Sequence, residues 1–258
     1  MSTTTLTETH AEHPPVDIER LTEQEKKELM VADAESINSG TTLGASEAAF
    51  TPAKTFHINA RGIPVLRLPL APSELITTIE NTDGSVAYTS TRERQSSGNC
   101  VLTDANGRSL ISTTYFFGPT KDPFLTRLDT EAGKDNVIKT VSKWTSRSHK
   151  FLLSDGRVLE WEYKREKGFG VGDKKGAALV LTLNGKRLAL LIRNDETRTL
   201  GSKSCSAGNG GQLVLDEEVG GKSGIGEELV IATCLLMLKK EIDRRRTVQF
   251  MMIAAAVS

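Results

Sequence analysis

The stretch that most constrains this chain is Leu229–Leu238, ten consecutive residues that are apolar except for Thr233. Five basic residues then follow between Lys239 and Arg246. As a helix the run is about 15 Å long, half of the roughly 30 Å hydrocarbon core of a bilayer. Continuing that helix to Val257 puts Lys239, Lys240, Arg244, Arg245 and Arg246 near its middle, where each costs roughly 2.5–3.5 kcal/mol in a membrane. No transmembrane span is therefore expected. Glu227 and Glu228 before the run, and the bases after it, match the two ends of a helix dipole, with Ser223 or Gly226 as the N-cap. A helix with no polar side has to be enclosed on all sides.

The rest of the sequence supplies the enclosure. From Lys54 onward, short runs rich in Val, Ile, Leu, Thr, Tyr and Phe alternate with turn residues. Asp83-Gly84, Asn106-Gly107, Asp155-Gly156 and Asn184-Gly185 each separate two such runs, the signature of hairpins with type I′ turns. In Arg157–Lys164, Leu159, Trp161 and Tyr163 share one face while Glu160, Glu162 and Lys164 share the other. Strands are expected near 54–58, 63–69, 74–80, 85–91, 99–103, 109–117, 124–128, 137–143, 148–153, 157–164, 177–183, 187–193 and 211–216, about twelve of which should form. An eight-stranded barrel is filled by its own side chains, whereas a helix about 10–12 Å across needs about eleven or twelve strands. Strand number and helix character agree on one fold class: mainly β (α+β), an antiparallel closed barrel of about twelve strands around a buried C-terminal helix near 226–246. The alternative is a β-sandwich with the helix plugged between its sheets.

The run Lys143–Glu166 carries Trp144, Arg147, Phe151, Asp155-Gly156 and Trp161. This pattern, with the barrel and its C-terminal helix, resembles the tubby C-terminal-like superfamily, which includes tubby proteins, phospholipid scramblases and LURP-one-related proteins. The resemblance covers about residues 52–258. It implies a barrel domain over 53–258, and, because tubby proteins bind phosphoinositides through a basic pocket, an anionic lipid as the class of ligand.

Composition adds a charge asymmetry. The chain balances 33 acids with 33 bases, so net charge does not point to nucleic acid. Residues 1–50 hold ten acids and three bases, and residues 134–193 hold fourteen bases and six acids. Residues 1–52 have few large apolar groups and read as a disordered acidic arm, with a weak helical stripe in Asp17–Ser36 from Leu21, Leu29 and Met30. Cys100, Cys205 and Cys234 are odd in number and scattered, which fits a reducing compartment; with no signal-like start, a cytoplasmic protein is expected, peripheral to a membrane if it binds lipid.

Motifs of catalysis are weak. Gly221-Lys222-Ser223 lacks the first glycine of a phosphate loop, where Asp216 stands, and Glu217 and Glu218 would repel phosphate. The glycines of 168–176 fit a wide hairpin loop. His10, His13, His57 and His149 have no metal-ligand spacing, and His149 reads as a surface residue at a strand start. No catalytic residue, metal or cofactor is expected. The basic middle supplies the candidate ligand-binding residues: Lys143, Arg147, Lys150, Lys164, Arg165, Lys167, Lys174 and Lys175, which hairpin geometry gathers toward one barrel end. Arg244-Arg245-Arg246 is expected to solvate and end the helix where it leaves the barrel. The function expected is a non-enzymatic binding or scaffold domain for anionic phospholipid headgroups. The alternatives are a small-molecule carrier or enzyme using the barrel cavity, or a protein–protein adaptor whose acidic arm masks the basic strands.

Overall fold

The computed structural model describes residues 21–38, 50–65, 74–94, 97–118, 121–129, 136–143, 145–172, 174–221 and 223–257. Its strands are β1 (Pro52–Ile58), β2 (Ile76–Asn81), β3 (Val86–Arg92), β4 (Cys100–Asp104), β5 (Ser109–Thr114), β6 (Phe124–Arg127), β7 (Val137–Thr140), β8 (His149–Leu152), β9 (Val158–Lys167), β10 (Lys175–Leu183), β11 (Lys186–Ile192) and β12 (Gln212–Asp216). They correspond to every expected run except 63–69, where Ile63 makes an isolated bridge to Ala207 and residues from 66 lie outside the described set. Each strand pairs antiparallel with its sequence neighbours, and β1 pairs with β12, so the barrel closes and leaves no open sheet edge.

The hairpin turns differ in detail from the expectation. Only Asn184 (φ 52°) and Gly185 (φ 80°) both occupy the left-handed region that a type I′ turn needs. At Gly84, Gly107 and Gly156 the glycine alone is left-handed, and its N–H donates to the carbonyl three residues back, of Asn81, Asp104 and Leu153. That is a type I turn closed by a left-handed glycine. The aspartates explain the choice. Asp83, Asp104 and Asp155 each accept from the backbone N–H two residues on, at 2.9 Å, a side-chain turn that competes with the two-residue loop.

Helix α2 (Glu227–Val257) runs through the barrel. Leu229, Val230, Ile231, Cys234 and Met237 are completely buried, in one cluster with inward residues such as Phe56, Ile79, Leu102, Ile111, Leu125, Phe151 and Leu179. Each such side chain contributes about 1.5–3 kcal/mol by leaving water, so the apolar run is the core of the fold and not an addition to it. Thr233, the one polar residue of the run, accepts a hydrogen bond from Trp161 Nε1 at 3.0 Å, and its hydroxyl lies within reach of the Leu229 carbonyl.

Antiparallel alternation sorts the connections to two ends. The four Gly turns, the β6–β7 connection and the loop leading into α2 lie at one, the turn end. There Lys54 and Tyr88 hold Glu227, and Arg157 donates to the Ser223 carbonyl. The described residues of the long connections β1–β2, β3–β4, β5–β6, β7–β8, β9–β10 and β11–β12 lie at the other, the loop end, where α2 emerges.

Residues 1–20 and 39–49 of the acidic arm lie outside the described residues. Between them is helix α1 (Glu23–Asn38). Thr22 and Glu25 form a capping box: Glu25 N donates to Thr22 Oγ1 at 3.2 Å, and Thr22 N donates to the Glu25 carboxylate at 2.9 Å. Leu21 and Leu29 of the weak stripe bury against Val248 of α2, while Met30 stays exposed.

Candidate functional site

Past Leu238 the helix turns from apolar to charged without leaving the protein. Lys239, Lys240, Glu241, Asp243, Arg244 and Arg245 are each no more than 6% exposed. Charges removed from water need close partners to be tolerated, and these have them. Lys239 Nζ meets Asp243 Oδ1 at 2.7 Å, one turn along. Glu241 accepts from Arg193 Nη1 and from the Gly208 N–H, both at 2.8 Å, and from the Tyr163 hydroxyl. Arg244 and Arg245 donate to the carbonyls of Ser146 and Cys205 at 2.7 and 3.1 Å. The guanidinium groups of Arg147 and Arg193 lie 4.5 and 5.7 Å from the centre of the Tyr163 ring. Gly208 makes its contact possible: with φ +72°, a Cβ there would fall 2.3 Å from Ile242 Cγ1.

Lys240 Nζ lies 3.2 Å from His149 Nδ1. The ring is also within hydrogen-bonding reach of the Ser146 backbone, and Nε2 is buried. Burial first, then Lys240 and Arg244, hold His149 well below the ordinary imidazole value. Burial also brings Lys240 down to about 8. It pushes Glu241 up to about 7, against the pull of the Gly208 N–H and of Arg244, Arg147 and Arg245.

Two expectations are corrected here. His149 is not a surface residue: it precedes inward Phe151 by two positions on β8, so it faces the interior, fully buried. Arg244 and Arg245 do not solvate the helix end: they are buried and bonded, and α2 continues to Val257. The sequence carried one signal of this block, the four-residue spacing of Lys239 and Asp243, which suits an ion pair on one helix face. Nothing in it marked the partners from distant loops, Ser146, Arg193, Cys205 and Gly208.

The basic residues expected to form a ligand site separate into three groups. Arg165, Lys167, Lys174 and Lys175 come together at the loop end: Lys167 and Lys175 are direct cross-strand partners, Arg165 pairs in register with Ala177, and the Lys174 carbonyl accepts from Gly168 and Gly170. Arg147 reaches the same end but lies against Tyr163. Lys150 and Lys164 are elsewhere on the wall, ion-paired with Glu160 at 3.4 Å and Glu162 at 2.8 Å, and Lys164 is buried. Lys143 is beside α1, in an open groove that also presents Glu25, Glu28, Asp122 and Thr145.

The interior has little free space at the polar level. A cavity of about 20 Å³ beside Lys239, lined by Thr77, Ser90, Arg92 and Thr113, has room for roughly one water. Among the described residues no group of three His, Cys, Asp or Glu is placed to hold a metal ion, and no helix is long and apolar enough to cross a membrane.

Twelve antiparallel strands in sequential order, closed around a C-terminal helix, decide the architecture. This is the architecture that the tubby-like resemblance implied. A protein of Arabidopsis thaliana solved by X-ray crystallography is similar in chain trace, with 10% sequence identity and a TM-score of 0.41 over 77% of this chain and 97% of that one. No protein-family model and no curated protein matches the sequence. In this barrel the residues that carried the resemblance, Arg147, Phe151, Asp155-Gly156 and Trp161, fall just before β8, on β8, in its turn and on β9, while Trp144 lies outside the described residues.

Proposed function

We propose that the chain is a cytoplasmic, non-enzymatic binding domain whose loop end takes anionic phospholipid headgroups. The observation that carries this reading is the register of β9 and β10, which sets Lys167 directly opposite Lys175, with Arg165 and Lys174 beside them, all exposed. Bases gathered at one end raise the local positive potential, and each nearby base contributes about 1 kcal/mol toward an anionic lipid surface. The carrier reading is disfavoured because α2 fills the space a carried ligand would need.

Co-sedimentation with phosphatidylcholine vesicles, with and without phosphatidylserine, tests the proposal. Binding should require the anionic lipid and weaken as salt rises, since exposed charges are screened over about 10 Å at 0.1 M. Lys167→Glu with Lys175→Glu should weaken it by about fivefold or more per lysine. Equal binding to neutral and anionic vesicles at low salt would remove the headgroup claim.

A second reading, a protein–protein adaptor, is favoured by the groove of about 640 Å³ between α1 and the β7–β8 connection, where Glu25, Glu28 and Asp122 suit a basic peptide. Glu25→Lys with Glu28→Lys should abolish capture of such a peptide and leave vesicle binding intact.

A further inference from the structure

We propose that the loop end docks end-on against an anionic phospholipid bilayer, with Leu200 and the emerging turns of α2 inserted among the lipid chains. This rests on the headgroup reading above and adds an apolar anchor and an orientation.

Leu200 is 92% exposed, yet the turn that displays it is firmly held. Thr199 before it is buried and donates its hydroxyl to the Ile58 carbonyl at 2.8 Å. The N–H and hydroxyl of Ser202 donate to the Thr199 carbonyl at 3.0 and 2.6 Å. Gly201, at φ +81°, takes the left-handed position of a type II turn, which leaves Leu200 at its outer corner. A large apolar side chain fixed at the corner of a rigid turn keeps its apolar surface in water, a cost that transfer to an apolar surrounding removes. A surrounding that accepts it on all sides is hydrocarbon.

Single exposed apolar residues are ordinary on a protein surface. Their distribution here is not even. Leu75, Val141, Val171, Leu200, Met252 and Ile253 are all exposed and all at the loop end. The turn end exposes Val86 and Leu128. Met252 and Ile253, at 57% and 43% exposure, stand on α2 beyond the wall, past Gln249, whose side chain donates to the carbonyls of Pro64 and Val65 in the β1–β2 connection. The Arg245–Cys205 hydrogen bond ties that part of α2 to the same 193–211 connection that carries Leu200.

Charge complements this arrangement. Exposed Lys167, Lys174, Lys175 and Lys203 lie among the apolar tips. Of the acids at this end, Asp195 pairs with Arg198 and Glu166 with Arg187, whereas Glu93, Asp122 and Glu196 are exposed. A protein partner of fixed shape needs a continuous apolar patch, whereas these residues stand on separate tips with bases between them. A bilayer interface closes around such tips one by one and presents phosphate to the intervening lysines.

The full chain should be tested on phosphatidylcholine vesicles containing phosphatidylserine. Leu200→Ser should weaken binding by about tenfold, from the lost transfer of one leucine, and leave the unfolding midpoint unchanged. Leu200→Trp should bind as the parent does, with a blue-shifted emission quenched by brominated acyl chains. Loss of binding in Lys167→Glu/Lys175→Glu with no change in Leu200→Ser and no quenching would overturn insertion and leave the headgroup reading standing. Loss in Leu200→Ser alone would support insertion and remove the lysine site. No change in either overturns both. If Leu200→Ser instead abolishes self-association seen by sedimentation, a second copy of this chain is the occupant and the bilayer proposal falls.

Discussion

Two buried side-chain pairs show how single residues fix this interior. Trp161 is wholly buried on β9, and its indole N–H reaches Thr233, the one polar group of the apolar run. Trp161→Phe keeps an aromatic ring but removes that donor and part of the volume, and should cost about 2–3 kcal/mol in urea unfolding. His149 predicts a pH effect. Its folded value lies well below 6.5, so on acidification the unfolded chain takes up this proton first. Below about pH 6.5 the unfolded state therefore binds more protons at this position, and stability falls as pH falls. Above that pH the imidazole is neutral in both states and adds no slope. His149→Gln retains an acceptor for Lys240 but cannot titrate. Denaturation of both proteins over a pH series should show the Gln variant gaining on the parent by about 1.4 kcal/mol per unit below that point. The opposing contribution of Glu241 is common to both and cancels.

At the scale of elements, the hairpins look alike in sequence and differ in backbone. Asn184 is left-handed and Asn106 is not. Asn184→Ala should cost about 1–2 kcal/mol in thermal unfolding, because a Cβ with no local hydrogen-bonding group opposes that conformation. Asn106→Ala should cost less than about 0.5 kcal/mol. The β9–β10 pair adds a link to function. Lys175→Glu reverses one of the exposed bases at the loop end and should weaken vesicle binding by about fivefold or more. Unchanged binding would remove the β9–β10 hairpin from the site.

Taken whole, the molecule is a wall wrapped around one rod. Strands from every side of the barrel contribute to one large cluster with Leu229–Leu238, and β10–β12 add only a smaller one around Val180, Leu190 and Val214. Ile231→Asp puts an unpartnered carboxylate at a position of zero exposure, at a cost of several kcal/mol that is comparable with the total of about 5–15 kcal/mol typical of a folded domain. Hydrogen exchange should show protection lost together in β2–β5 and β9–β12. Loss confined to strands near the substituted residue would mean that the wall stands without its rod. The two ends of the barrel also differ in kind: tight turns with Asp83, Asp104 and Asp155 at one, long connections with Lys167, Lys174 and Lys175 at the other.

The sequence by itself determined the parts and the enclosure. Turn dipeptides marked the hairpins, period-two alternation turned Leu159, Trp161 and Tyr163 to one face, and a helix without a polar side left a closed wall as its container. These are local or compositional constraints, readable because neighbours along the chain impose them. Tertiary structure decided what depends on distant neighbours. Whether Asp83 or Asp155 bends its own backbone is a competition of hydrogen bonds that a Gly dipeptide does not reveal. The charges after Leu238 read as a solvated end because burial of Lys239 through Arg245 is tolerable only where Tyr163, Arg193, Gly208 and the Ser146 and Cys205 carbonyls converge on them. The eight candidate bases form one run in sequence, yet the barrel sets Lys150 across from Glu160 of the neighbouring strand, buries Lys164 beside Glu162 of its own strand, and brings four others to the loop end. Register, and the acid that happens to lie across a strand, are properties of the closed barrel alone.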